Sequence, residues 1–124
     1  MDNSGRWISG PQLPQDRIQK IVALNDEGTV HMIFKETIVT GLTWTFDWLG
    51  TREWEASGTI LGRVDFAVTR TRVLSGSKHV VIVAGGMRNF VMVPNVDLYD
   101  IDAKQWYFAF FLIFTLLFVQ LLFN

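Results

Sequence analysis

The 124-residue chain has no cysteine, only 3 prolines and a net charge of −1, and each scarcity removes a class of function. Without thiols there are no disulfides, zinc-thiolate centres, iron–sulfur ligation or cysteine nucleophiles. A near-neutral chain lacks the basic surface that a phosphate backbone demands, so no nucleic-acid partner is expected. No P-loop, Gly-x-Gly-x-x-Gly or nucleophile-elbow spacing occurs. The 2 histidines, His31 and His79, fall on different segments with no carboxylate to complete a metal site. The expectation is a non-enzyme with no cofactor and no metal. The first 20 residues contain no continuous apolar segment of the secretory type, which makes a cytoplasmic location the default.

What is present is apolar and aromatic: 49% of residues are hydrophobic and 14% aromatic, a composition that folds rather than one that stays disordered. The distribution is uneven. Residues 107–124, "YFAFFLIFTLLFVQLLFN", carry no charge, glycine or proline, and hold 6 phenylalanines and 5 leucines. As a helix this stretch would rise about 27 Å, close to the hydrocarbon thickness of a bilayer. Its apolar residues surround the axis, so it reads as a hydrophobic helix that either inserts in a membrane as a C-terminal anchor or is a buried chain end.

Upstream, short apolar runs rich in β-branched and aromatic residues cover 18–24, 29–34, 42–47, 66–74, 80–84 and 96–101. Turn clusters such as "ALNDEGTV" and "LSGSKH" separate them, and no soluble helix is expected. The segment "HVVIVAGGMRNF" ends a buried strand on Gly85 and Gly86, which suits a place where φ must be positive or backbones must approach closely.

Trp7, Trp54 and Trp106 recur at intervals of 47 and 52 residues, the length of a supersecondary unit. "TWTFDWLGTREW" parallels "NVDLYDIDAKQW", with Phe46-Asp47 where Tyr99-Asp100 stands, and Arg17 and Arg63 follow the first two tryptophans at similar distances. The double glycine, Tyr99 and Trp106 resemble the kelch repeat, a unit of about 50 residues. The resemblance is complete over about 63–106, degenerate over about 17–54, and residues 1–14 look like the end of a preceding unit.

The resemblance implies an all-β fold: two partial kelch β-propeller blades, each a four-stranded antiparallel sheet, followed by the C-terminal hydrophobic helix of 107–124. It implies structural roles for Gly85, Gly86, Tyr99, Trp106, Trp54 and Trp7. Phe34 and Lys35 would occupy the glycine positions of the first repeat, which would then distort or bulge there. Function would be protein–protein interaction, as in substrate adaptors or scaffolds, through loops at 35–41, 58–63 and 87–94. Met87, Arg88, Asn89 and Phe90 are the candidate partner-binding loop. Further blades would come from a longer chain or another subunit. The copper chemistry of some kelch-like oxidases needs a cysteine-modified tyrosine, which this chain cannot make.

The carboxylates Asp47, Glu53, Glu55, Asp97, Asp100 and Asp102 read as turn caps, and Arg70 and Arg72 of "TRTRV" as a solvated edge. Two other readings compete with the interaction module: a small tail-anchored membrane protein with a β-rich cytosolic head, and a fragment of a propeller enzyme.

Overall fold

The computed structural model describes residues 5–7, 9–35, 37–73 and 78–110, and these form an all-β structure. Strands β1 (Ile18–Ala23), β2 (Val30–Lys35), β3 (Thr37–Asp47) and β4 (Glu55–Arg63) make one antiparallel meander in the order β1-β2-β3-β4. A second four-stranded sheet contains β5 (Ala67–Val73), β6 (Lys78–Ala84), β9 (Asn95–Asp100) and β10 (Gln105–Phe110), in the order β5-β6-β9-β10 from edge to edge. Between β6 and β9 the chain makes a separate two-stranded hairpin of β7 (Met87–Arg88) and β8 (Val91–Met92). Among the described residues no helix is long and apolar enough to cross a membrane.

The two sheets are built alike. Phe46 pairs across the sheet with Trp54 at a centroid distance of 4.9 Å, and Tyr99 with Trp106 at 5.0 Å. Both indole Nε1 atoms are buried without a hydrogen-bond partner, so the tryptophans act as packing bodies rather than polar anchors. In both β3–β4 and β9–β10 turns an aspartate closes the bend. Asp47 Oδ1 accepts from the amides of Leu49 and Gly50 at 3.0 and 2.9 Å, and Asp100 Oδ1 from the amide of Ala103 at 3.1 Å. Each turn ends on a basic residue in the left-handed region, Arg52 and Lys104, both with φ 55°.

Strand alternation decides which faces meet. Met32 and Phe34 of β2, with Leu24 and Ile60, face the second sheet and join Phe66, Val81, Val83 and Tyr99 in one buried cluster. Phe34, 1% exposed, meets Phe66 edge-on at 5.9 Å and Trp106 at 6.2 Å. Tyr99 and Trp106 therefore lie on the face of the second sheet that packs on the first. Phe46 and Trp54 lie on the face of the first sheet pointing away, because their strand neighbours Thr45, Asp47 and Glu55 line the inter-sheet cleft. The sheets thus stack front to back, with equivalent faces looking the same way.

Two polar links lock that stacking. Arg63, with a fully buried side chain, donates to Asp97 through Nη2, to the Asn95 carbonyl through Nη1 at 3.2 Å, and to the Leu61 carbonyl through Nε at 3.1 Å. Burial pushes the Asp97 carboxyl above the usual carboxylate range, and the Arg63 guanidinium pulls against that shift. At the edge, Arg70 and Arg72 converge on Asp26 of the β1–β2 turn at 2.9 and 2.6 Å. These arginines lie on the edge strand β5, as expected, with Arg72 exposed, and they also clamp the two sheets together.

Several expectations are corrected here. Residues 107–110 belong to β10, paired to β9 through Tyr107↔Leu98 and Phe110↔Asn95, so the hydrophobic segment does not begin as a helix. The remainder of the expected helix, 111–124, lies outside the described residues. The described part of 7–14 contains no strand, and Trp7 is 83% exposed. A strand there would need an edge to pair with, and it pairs with neither sheet. The sheets run over 18–63 and 67–110, because the strand after each tryptophan turns back on the same unit rather than opening the next. Arg17 and Arg63 are not equivalent: Arg17 is exposed ahead of β1, whereas Arg63 is buried at the end of β4.

Truncating the wedge between the sheets tests this architecture. Phe34→Ala is expected to lower stability by about 3–5 kcal/mol in urea unfolding, the range for a buried phenylalanine that leaves a cavity. Trp106→Phe should cost much less than Trp106→Ala, since the indole N–H has no bond to lose.

Candidate interaction site

The link from β6 to β9 begins at the double glycine. Gly85 has φ 74° and open space where a Cβ would stand, while Gly86 has φ 91° and would place a Cβ 2.7 Å from the Val64 carbonyl oxygen. The reason for that crowding is a backbone bridge: the Val64 and Met87 amides each donate to the other's carbonyl at 2.9 Å. The Val93 amide donates to the Gly86 carbonyl at 3.0 Å and closes the other side. The hairpin is thereby bolted to the β4–β5 corner at its base.

From that base β7 and β8 project with a two-residue turn. Asn89 and Phe90 both sit in the left-handed region, with φ 52° and 64°. Asparagine tolerates this, but phenylalanine adopts it at a cost of about 1–2 kcal/mol. The side chain gains nothing inside the protein in return, because Phe90 is 96% exposed. Beside it Val91 and Met92 are 66% and 68% exposed. Met87 and Arg88 are half-buried at the hairpin base, so of the expected partner-binding loop the exposed portion is Asn89 and Phe90, extended into Val91 and Met92.

The other two expected loops are not loops. Residues 58–63 lie in β4, and of 35–41 all the described residues lie in β2 or β3. The expected equivalence of Phe34 and Lys35 with the glycines is off by one position. Aligning the sheets on Val30↔Asp47 and Val80↔Asp100 puts Phe34 level with Ala84 and Lys35 level with Gly85. Neither Phe34 nor Lys35 has positive φ. The irregularity falls instead on the opposing strand, where register shifts between Ile18 and Lys20.

A second irregularity, in β4, was not foreseen. Register slips between Leu42 and Trp44, and Gly58 bulges there with φ 100°. Thr43 Oγ1 donates to the Gly58 carbonyl at 3.0 Å, and Trp106 lies against the glycine, 3.1 Å from where a Cβ would stand. "SG" within the run after Trp54 is the signal that could have marked it.

His79 Nδ1 lies 3.3 Å from Arg70, His31 pairs with Phe46, and among the described residues no group of three or more His, Asp or Glu could hold a metal ion. Compared with family models, curated proteins and solved structures, the chain matches none.

The glycine pair and the acidic turns yield two expected outcomes. Gly85→Ala should cost about 1–2 kcal/mol, the left-handed penalty alone, and Gly86→Ala distinctly more, because a backbone carbonyl must also shift. The order in equilibrium unfolding is the check. At Asp26 the Arg70 hydrogen bond holds the carboxyl below its ordinary value of 3.8. At Asp100 burial works against the charge, but the Lys78 hydrogen bond and the Ala103 amide outweigh it and also lower the pKa from 3.8. Folded pKa values below the unfolded ones give stability that is present above about pH 4 and lost as pH falls through the lowered values. The melting temperature should therefore decline as pH falls below about 4, the range of the ordinary aspartate pKa and under, and the decline should flatten in Asp26→Asn with Asp100→Asn.

Proposed function

We propose that this chain comprises two blades of the kelch-repeat type and serves as a non-enzymatic protein-binding module that engages its partner through the β7–β8 hairpin. The observation that carries the reading is Phe90, a 96% exposed aromatic held at φ 64° on the tip of a bridged hairpin. Strain at an exposed side chain is retained where that side chain has work to do outside the fold. A rigid apolar tip with Val91 and Met92 beside it is the composition of a binding hot spot.

The kelch assignment is supported by the repeated aromatic pairs, the repeated aspartate-closed turns and the front-to-back stacking of two four-stranded meanders. In a propeller every blade presents one face forward and the other back, so this arrangement is the one expected of neighbours. The double glycine then ends the second strand of its blade, and the hairpin occupies the loop joining second and third strands. Further blades and a cytoplasmic location belong to the same proposal.

Replacing Phe90 with a photo-crosslinking phenylalanine analogue should trap a polypeptide partner, while the same analogue at Lys104, at the other end of the sheets, should not. Phe90→Asp should reduce partner capture at least about tenfold with an unchanged melting temperature, and Phe90→Gly should abolish capture while raising stability by about 1 kcal/mol. Equal capture by Phe90→Asp, or recovery of the chain with neutral lipid vesicles instead of a polypeptide, overturns the reading.

A further inference from the structure

Each four-stranded sheet ends in two strands that have a neighbour on one side only: β1 and β4 in the first, β5 and β10 in the second. Such an edge offers unpaired amides and carbonyls to any other extended chain, and folded proteins ordinarily blunt it with charges, bulges or a covering element. Three of the four edges are blunted. β1 carries Lys20 and a register shift between Ile18 and Lys20. β4 carries Glu55 and Arg63 at its ends and the Gly58 bulge between them. β5 carries Arg70 and Arg72, both held by Asp26 of the first sheet.

β10 has none of these devices. Its sequence, "QWYFAF", contains no charge, glycine or proline. It pairs with β9 residue for residue, from Gln105↔Asp100 to Phe110↔Asn95, without a shift. Among the described residues no strand lies on its other side.

The space next to this edge is the independent observation. An open groove of about 380 Å³ lies where β10 stands beside β4. Ile60, Leu61 and Trp106 give it apolar walls, with Thr59 and Tyr107 at its sides. Its one carboxylate, Asp97, is already bound to Arg63, so the groove takes uncharged side chains. A straight free edge with an apolar groove alongside supplies both parts of a strand-addition site: the ladder binds a main chain, and the groove takes alternate side chains.

We propose that β10 pairs antiparallel with β10 of a second copy of this chain, joining two four-stranded sheets into one of eight strands. The edge and groove call for an uncharged, aromatic, β-prone strand, and β10 is itself such a strand. Pairing about a two-fold axis removes two unguarded edges in one contact, whereas a foreign strand would leave its own far edge open. A two-fold normal to the sheet keeps every side chain on its own face. Trp106 of both copies then lies on the groove side, and the exposed Gln105 and Tyr107 of both copies share the other face. The contact is separate from the hairpin and does not depend on the kelch assignment.

Sedimentation velocity of the full chain over a concentration series is the test. The chain should pass from monomer to dimer with a Kd of about 1–100 μM. Gln105→Lys with Tyr107→Lys places like charges together across the pair and should weaken dimerisation at least about tenfold with an unchanged melting temperature. Gln105→Glu with Tyr107→Glu should do the same. Mixing the lysine and glutamate variants in equal amounts should restore the dimer, which association driven by another surface would not do. Amide exchange in β10 should slow as the wild-type concentration rises and stay constant in the lysine variant. A chain that remains monomeric, that forms larger species without limit, or whose association ignores both charged variants overturns the proposal. Because the substituted positions lie outside the hairpin, failure of dimerisation and failure of partner capture are separate results.

Discussion

Everything in this molecule depends on one wedge, the Phe34 ring held between Phe66 and Trp106. A single four-stranded meander cannot hide an apolar face from water, so each sheet needs the other. Phe34 supplies the contact from the first sheet, and the Tyr99–Trp106 pair supplies the surface it meets on the second. The bulge at Gly58 exists for the same contact: without a side chain there, Trp106 settles against the backbone of β4. The buried Arg63–Asp97 pair adds direction to the packing. Burying two charges is unfavourable unless both are satisfied, and here the guanidinium is used up by one carboxylate and two carbonyls.

The two sheets repeat one another in chemistry more than in sequence. An aromatic–tryptophan cross-strand pair, an aspartate that accepts from its own turn, and a basic residue with φ 55° at the turn's end appear in both. What differs is the connection between second and third strands. In the first sheet the β2–β3 ladder ends at Phe34↔Thr43 and the start of β3 pairs with β4 instead, and in the second the connection is a ten-residue excursion from 85 to 94 that carries the hairpin. The double glycine belongs to that excursion. It permits the tight bridge to the β4–β5 corner that makes the hairpin a fixed projection rather than a floppy loop.

On the proposed reading, the packed faces and the binding surface separate in space. The stacked faces are spent on stability, one end of the sheets carries a strained exposed aromatic, and β10 leaves an edge without charge or bulge. Among the described residues no group of three or more His, Asp or Glu could hold a metal ion.

The chain's own residues were enough to read the class of fold, most strand positions, the turn-closing role of Asp47 and Asp100, and the glycine pair. Period-two alternation and turn chemistry are local, so they are visible in a linear string. The strand after Trp54 went unread because its exposed, glycine-interrupted pattern lacks alternation, and residues 107–110 read as helix because unbroken apolar runs carry no period. The sequence by itself determined that β-strands would form and which side chains would be large and apolar. Only the tertiary structure decided that Arg63 is buried while Arg17 is not, that Arg70 and Arg72 clamp Asp26, and that Phe90 is left outside. Those outcomes depend on which faces meet across a sheet-to-sheet contact, and such contacts join residues as far apart as 46 positions, beyond the reach of any local pattern.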